Sequence, residues 1–187
     1  MELPYRESVM SFLGALGLCA ICAFVSNSAL AQQKYKFEEK PEWSTSRYVQ
    51  QHAIDVGDVP GHKVRILELQ WTYNEQSQLA VSGVKVKESW SRGYTDYTNG
   101  KGRSWGYGSW ILADGNKIYV EYSGTTMAEP TSTGSIKGSY HGVSRFTGGT
   151  GKFSRIRGTM TEADDFDSDP KTGYNKVETQ GEYWFEE

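Results

Sequence analysis

A glycine-dense segment, F-T-G-G-T-G-K-F-S-R-I-R-G at residues 146–158, constrains the fold of this chain more than any other stretch. Its central glycines can adopt the positive φ values that a tight connection needs. They are Gly148, Gly149 and Gly151. Phe146 and Phe153 flank the connection as apolar anchors, and runs that alternate as β-strands do lie on either side of it. The segment therefore predicts a shaped turn between two antiparallel strands.

The first part of the chain has the pattern of a targeting signal. Residues 10–25 form an almost unbroken run of apolar and small side chains, and residues 29–31 read A-L-A, the small-x-small motif at which signal peptidase cuts. We therefore predict a signal peptide over residues 1–31 and a protein that is exported to the periplasm or the extracellular space. Both cysteines, Cys19 and Cys22, lie in this signal, so the mature chain is predicted to fold without a disulfide. Cleavage also removes the apolar run, so no membrane span is predicted after it.

The mature chain, residues 32–187, has the length of one domain with a core of its own. Its polar start, residues 32–47, has no clear period and predicts a flexible arm, which leaves residues 48–187 as the domain. The whole chain carries 20 basic and 23 acidic residues, and removing the one basic and two acidic residues of the signal leaves a net charge of −2. This balance argues against a nucleic-acid partner, which normally requires a basic patch.

The mature sequence predicts an all-β fold. Aromatic residues and glycines are abundant, and runs of period two are separated by turn signals such as Asn99-Gly100 and Asp114-Gly115. Counting the runs gives about eight strands, mostly paired neighbour to neighbour. An antiparallel up-and-down barrel is the most economical arrangement, because closure removes exposed edges and glycines within strands suit its sharp coiling. A two-sheet β-sandwich is the alternative.

The glycine turn resembles a known signature. The pattern G-G-T-G-K-F-x-x-x-R-G, here Gly148 to Gly158, is similar to that of the allene oxide cyclase and dirigent barrels and of related bacterial exported proteins. Ile156 stands where dirigent-like sequences have alanine, whereas Arg157 and Gly158 are kept. The resemblance implies a calycin-like eight-stranded barrel, action on hydrophobic, cyclisable small molecules and a homo-oligomer, often a trimer. It carries no pocket residue over to this chain.

Candidate ligand-binding residues come from strand faces that could line a barrel cavity. Glu88 shares a face with Trp90 and Arg92, and an inward carboxylate there could orient a ligand or transfer a proton. Alternatively, this face crosses the barrel rim, and Glu88 and Arg92 form an ordinary solvated ion pair. The complete set of candidates is Glu88, Trp90, Arg92, Tyr107, Glu121 and Tyr140.

Several other chemistries lack their patterns. His141 is far in sequence from His52 and His62, and no histidines stand two residues apart, so no metal site is predicted. Residues 165–169 begin like a calcium loop but continue with a proline in place of the turn glycine. No G-x-S-x-G nucleophile motif occurs. The glycine turn lacks the spacing of a phosphate loop and leads into a strand. We predict no cofactor.

The sequence predicts that the domain binds a small apolar or aromatic molecule. The enzymatic alternative is a cyclase or dirigent-like activity in the barrel cavity, and a structural module with a filled barrel is the third hypothesis. The interior distinguishes them. An ionisable group beside open volume favours catalysis, an apolar pocket favours carriage, and a filled interior favours a structural role.

Overall fold

The computed structural model describes residues 35–39, 44–77, 79–169, 171 and 173–187, with the backbone alone at 35–39, 44 and 175. The predicted signal peptide, residues 1–31, lies outside these residues. The described part of the chain is all-β, as predicted, and belongs to a compact unit over residues 32–187. The strands are β1 (Tyr35–Glu39), β2 (Ser44–Asp55), β3 (His62–Tyr73), β4 (Ala80–Val81), β5 (Val84–Thr98), β6 (Lys101–Leu112), β7 (Lys117–Pro130), β8 (Ile136–Gly149), β9 (Ile156–Asp167) and β10 (Tyr174–Phe185). Among these residues, no helix is long and apolar enough to cross a membrane.

Nine of the strands form one antiparallel sheet in the order β1-β10-β9-β8-β7-β6-β5-β3-β2, and the two-residue strand β4 pairs only with β5. Strands β5 to β10 are each paired with their neighbours in sequence, as an up-and-down arrangement requires. The turn chemistry explains this order. Asn99 and Gly100 both have positive φ, 51° and 81°, which is the conformation of the tight hairpin turn predicted between β5 and β6. The sheet is one continuous layer, not the two layers of the sandwich alternative.

The sheet is strongly bent, and its chain connectivity explains why. Strands β1 and β2 are the two ends of the nine-strand order, and in a flat sheet with about 4.8 Å between strands they would lie roughly 38 Å apart. Only five peptide units join Glu39 to Ser44, and at about 3.8 Å each they span at most roughly 19 Å. The sheet must therefore curve back towards itself.

The segment predicted as an arm contributes to both ends of this sheet. Strand β1 lies wholly within residues 32–47, and β2 begins within it. Backbone pairing of β1 with β10, from Tyr35 opposite Tyr183 to Glu39 opposite Thr179, does not require an alternating side-chain pattern. The absence of a period in residues 32–47 therefore did not reveal the strand pairing of residues 35–39 and 44–47.

The glycine turn is a structural device at the end of β8. Gly151 has φ of 54° and begins a single 3₁₀ turn, residues 151–153, whose Phe153 is fully buried. Arg157 donates hydrogen bonds of 3.0 Å to the Thr147 carbonyl and 2.8 Å to the Ile156 carbonyl. Gly158 allows close strand contact, because a Cβ there would lie 2.3 Å from the Glu182 carbonyl oxygen. The turn thus joins β8 to β9 and anchors the core.

The apolar core fills one end of the bent sheet. Residues from β5 to β10 meet the loop before β4 and the 3₁₀ turn there, and Trp110 packs edge-on against Phe146 with ring centroids 5.2 Å apart. The Tyr183 hydroxyl of β10 accepts a 2.7 Å hydrogen bond from the Ser82 amide beside β4. The core residues are Leu79, Val81, Val86, Trp110, Leu112, Ile118, Val120, Phe146, Phe153, Ile156, Met160 and Tyr183. This packing closes one end of the bent sheet and leaves space on the concave side towards the other end.

Candidate functional site: a polar cavity inside the bent sheet

The concave side of the sheet encloses a cavity of about 1220 Å³. Eight strands, β2, β3 and β5 to β10, contribute side chains to its walls. Near the core the lining is apolar and includes Leu69, Trp110, Val120 and Met160. The volume somewhat exceeds the range of roughly 300–1,000 Å³ that is typical of sites for drug-sized ligands. The interior is therefore not filled, which argues against the structural-module hypothesis.

The opposite end of the cavity is its mouth. Residues at the β5–β6 hairpin, at the start of β8 and at the start of β10 line it, among them Asn99, Ile136 and Tyr174. Ile136 is exposed there, whereas Trp110 at the core end is buried. A small molecule would therefore enter between the hairpin ends of β5–β6, β7–β8 and β9–β10.

A row of polar residues and glycines crosses the middle of the cavity. Residues directly opposite each other on adjacent strands form this row, which we call the polar belt. Its members are Arg65, Thr95, Ser104, Gly124, Gly142, Glu162 and Thr179. Because strand pairs point their side chains to the same face, one register places all of them towards the interior. The belt puts ionisable and hydroxyl groups beside open volume.

Glycines in the sheet make room for two tyrosines in this belt region. Gly124 and Gly142 face each other across β7 and β8, and a Cβ on either would lie within 2.4 Å of the Tyr140 side chain. Likewise, a Cβ at Gly93 would lie 2.2 Å from the Tyr122 hydroxyl. The absence of a Cβ at these glycines therefore leaves the space that the Tyr122 and Tyr140 side chains occupy. Burial raises the pKa of Tyr122 to about 12 and also raises the pKa of Tyr140, so both phenols are neutral hydrogen-bonding groups.

Glu162 is the most unusual group of the cavity. Its side chain is partly buried and reaches the cavity, and desolvation by the surrounding protein raises its pKa to about 7. Within the described residues, its side chain makes no hydrogen bond or salt bridge. Its nearest neighbours in the register are Gly142 and Thr179, neither of which is charged. Glu162 can therefore exchange a proton near neutral pH in a partly dry site.

Several hydroxyl groups of the cavity wall are paired with each other. The Tyr97 and Thr126 hydroxyls lie 2.6 Å apart, and the Ser104 hydroxyl hydrogen-bonds to Tyr140. Asp164, two residues after Glu162 on the same strand face, also lines the cavity. The two carboxyl groups are thus the chemically distinctive feature of this part of the wall, which otherwise carries hydroxyl and aromatic groups.

Four of the six candidates from the sequence lie away from the cavity. Tyr140 lines the cavity, and Trp90 also borders it, although the Trp90 ring lies against Arg92, 5.2 Å from its guanidinium. Glu88, Arg92, Tyr107 and Glu121 are not, and Tyr107 is 66% exposed. The cause in β5 is a register shift between Val86 and Glu88. One extra residue there exchanges the two faces of the strand, so that Ser89, Ser91 and Thr95 face the interior instead of Glu88 and Arg92.

The predicted pairing of Glu88 with Arg92 is also wrong. The Arg92 Nη2 lies 2.6 Å from Glu68 Oε1, on the neighbouring strand β3. Glu88 instead accepts hydrogen bonds of 3.0 Å from Trp90 Nε1 and 3.2 Å from Gln70 Nε2. Glu121 forms its own ion pair, 2.6 Å, with Arg145 of β8. These outer groups are ordinary surface ion pairs and cross-strand hydrogen bonds.

Glu162 and Asp164 were missed, although the sequence carried a signal for them. The alternation Ile156, Gly158, Met160 marks the inward face of β9, and two further steps of two residues reach Glu162 and Asp164. The sequence analysis did not follow this alternation beyond Met160, although Glu162 and Asp164 continue it. An acidic residue in phase with buried apolar ones is therefore the pattern that would have found the site.

No group of three or more His, Cys, Asp or Glu side chains that could hold a metal ion occurs among the residues described above. Comparisons with protein-family models, with curated proteins and with solved structures find no match to this chain. The resemblance to the allene oxide cyclase and dirigent barrels thus stays a prediction from the glycine turn, and the cavity itself must support any functional conclusion.

Proposed function

We propose that this chain is an exported protein whose bent sheet is a β-barrel and binds a small apolar or aromatic molecule in its interior. The observation that carries the proposal is the cavity of about 1220 Å³, which has an apolar end, aromatic walls and a polar belt. Ligand sites typically combine such apolar walls with a few placed polar groups. Export is supported by the A-L-A motif at residues 29–31, and N-terminal sequencing of the secreted protein should then begin at Gln32.

The barrel part of the proposal requires the free edges of β1 and β2 to meet. The short connection between Glu39 and Ser44 supports this, because it keeps the two edges close. Hydrogen exchange tests it. In a closed barrel the alternate β2 amides that do not bond to β3 are protected, whereas in an open sheet they exchange as fast as solvent-exposed amides. Fast exchange at these amides refutes closure and leaves the cavity proposal intact.

Small-molecule binding can be tested with two neighbouring residues of β7. Thr126 is buried and lines the cavity, while Thr125 is exposed on the opposite face. Native mass spectrometry of protein purified from its own host should show a co-purifying small molecule with the wild type and with Thr125→Phe. Thr126→Phe, which projects a phenyl ring into the cavity, should lose it while remaining folded by circular dichroism. Retention of the molecule by folded Thr126→Phe contradicts binding in the cavity.

A second candidate function is general acid–base catalysis on the bound molecule, of the cyclase or dirigent-like type. The observation that favours it is Glu162, whose pKa of about 7 and position beside open volume suit proton transfer. The test separates binding from chemistry. If the protein is an enzyme, Glu162→Gln should still bind the co-purified molecule but no longer convert it, as followed by liquid chromatography and mass spectrometry. Equal conversion by Glu162→Gln excludes this role for the residue.

A further inference from the structure

We infer that the ligand of this cavity carries a positively charged nitrogen next to its apolar or aromatic body, and that this nitrogen binds between the Glu162 carboxyl and the ring of Tyr140. The inference rests on the small-molecule binding proposed above and specifies its ligand class. It is carried by the missing partner of Glu162, by the placement of the Tyr140 ring and by the distribution of charge around the cavity.

The first step is the unsatisfied carboxyl. Buried carboxyl groups in proteins normally have hydrogen-bond or ionic partners, because leaving one without them is costly. Glu162 lines the cavity and has no such partner among the described residues. Partial burial disfavours the ionised form of this carboxyl. A cation bound beside it would favour the carboxylate and would be attracted by its charge. A bound ligand is the group that can supply the missing partner.

The second step is the aromatic surface beside this carboxyl. The Tyr140 side chain lies across Gly124 and Gly142, since a Cβ at Gly124 would be 2.4 Å from its Cε2, Cζ and hydroxyl oxygen alike. One face of the ring therefore covers the sheet, and the other face is left towards the cavity. Gly142 is also the direct cross-strand neighbour of Glu162. A carboxylate next to a free aromatic face is the combination that recognises ammonium groups by charge and by cation–π attraction.

The third step is the position of the cavity's charges. Glu162 and Asp164 lie together on β9. The basic residues that line the cavity, Lys63 and Arg65, are on β3, separated from β9 by β5, β6, β7 and β8. The Arg65 guanidinium is turned towards β2, where it donates a 3.0 Å hydrogen bond to Gln51 and stacks over the Tyr48 ring at 5.2 Å. The wall at β9 is thus negative, with no basic side chain from its neighbouring strands in the lining.

Three probes that share one aromatic body and differ in the head group test this inference. They are 2-phenylethylamine, which is cationic, 2-phenylethanol, which is neutral, and phenylacetate, which is anionic. Their binding to the full mature protein at pH 8 can be measured by isothermal titration calorimetry. We expect the amine to bind at least roughly tenfold more tightly than the alcohol, the scale of one charge-assisted contact, and phenylacetate to bind most weakly.

Two variants with the same chemical change assign this preference. In Glu162→Gln the tenfold advantage of the amine over the alcohol should disappear while binding of the alcohol is kept. In Glu121→Gln, whose carboxylate is paired with Arg145 outside the cavity, the advantage should be unchanged. Equal affinity of the amine and the alcohol, tighter binding of phenylacetate, or an amine preference that survives Glu162→Gln overturns the inference but leaves small-molecule binding in place. If none of the three binds at millimolar concentration, both the inference and the proposed function fail.

Discussion

Removing the charge of Glu162 should stabilise the protein at alkaline pH and not at acidic pH. The pKa of Glu162 is about 7 in the folded protein, against an ordinary value of 4.5, because its carboxyl is enclosed. Between these values the folded chain holds a proton that the unfolded chain has released. The free energy of unfolding therefore falls as the pH rises from about 4.5 to about 7 and is then level. Glu162→Gln, which cannot ionise, lacks this loss.

The magnitude follows from the difference of about 2.5 pH units between the two pKa values. At 1.36 kcal/mol per unit it corresponds to about 3 kcal/mol, and screening by water in the cavity lowers the expected effect to about 1–2 kcal/mol. For a domain of this size each kcal/mol shifts the melting midpoint by about 2–4 °C. We expect Glu162→Gln to melt about 2–8 °C above the wild type at pH 8.5 and close to it at pH 5.

Thermal unfolding followed by circular dichroism at a series of pH values measures this effect. Glu121→Gln is the matched control, because its carboxylate lies on the outer face in an ion pair with Arg145. Its melting midpoint should not show the same gain at alkaline pH. If Glu162→Gln is less stable than the wild type at pH 8.5, the carboxylate is paired in the folded protein and the reasoning about the cavity is wrong.

Two further predictions concern the rim and the turn. His62 lies between Asp96 and Asp58, and these contacts of 2.8 Å and 2.6 Å raise its pKa above 6.5. Its contribution to the free energy of unfolding should be complete below about pH 6.5 and should be lost as the pH rises through the pKa of the folded protein. In urea titrations at a series of pH values, His62→Gln should not show this loss. Gly149→Val should lower the melting midpoint by several degrees, because a Cβ at this position would lie 2.3 Å from the Lys117 carbonyl oxygen. An unchanged midpoint together with lost ligand binding would show instead that the turn is a binding loop.

The strands and turns were largely readable from the sequence because they depend on local chemistry. Asn99-Gly100 predicted a tight hairpin, and both residues have the positive φ of such a turn. Gly151 likewise has positive φ, whereas Gly149 is constrained by contact with Lys117 and Phe153 rather than by its φ. Local sequence preferences thus predicted that these turns exist. Why position 149 requires a glycine became clear only from its contacts in the folded chain.

The cavity residues were harder to predict, because the side of the sheet to which a side chain points depends on strand register. The irregularity between Val86 and Glu88 leaves no clear mark in the sequence, yet it moves Glu88 and Arg92 to the outer face. No such shift interrupts β9, and there the inward series reaches Glu162 without a break. The face to which a strand residue points can therefore be predicted from alternation only up to the nearest bulge. Beyond a bulge, the prediction requires the pairing of the strand with its neighbours.

The central claim, that a small molecule binds inside the bent sheet, is tested most directly by methyl NMR. The structure offers apolar reporters on both faces: Leu67, Val120 and Met160 line the cavity, whereas Met127 and Val143 are exposed on the outer face. In a titration of methyl-labelled protein with 2-phenylethylamine, we predict shifts at the three cavity residues and none at the two outer ones. Shifts at Met127 and Val143, with Val120 and Met160 unchanged, would contradict the claim.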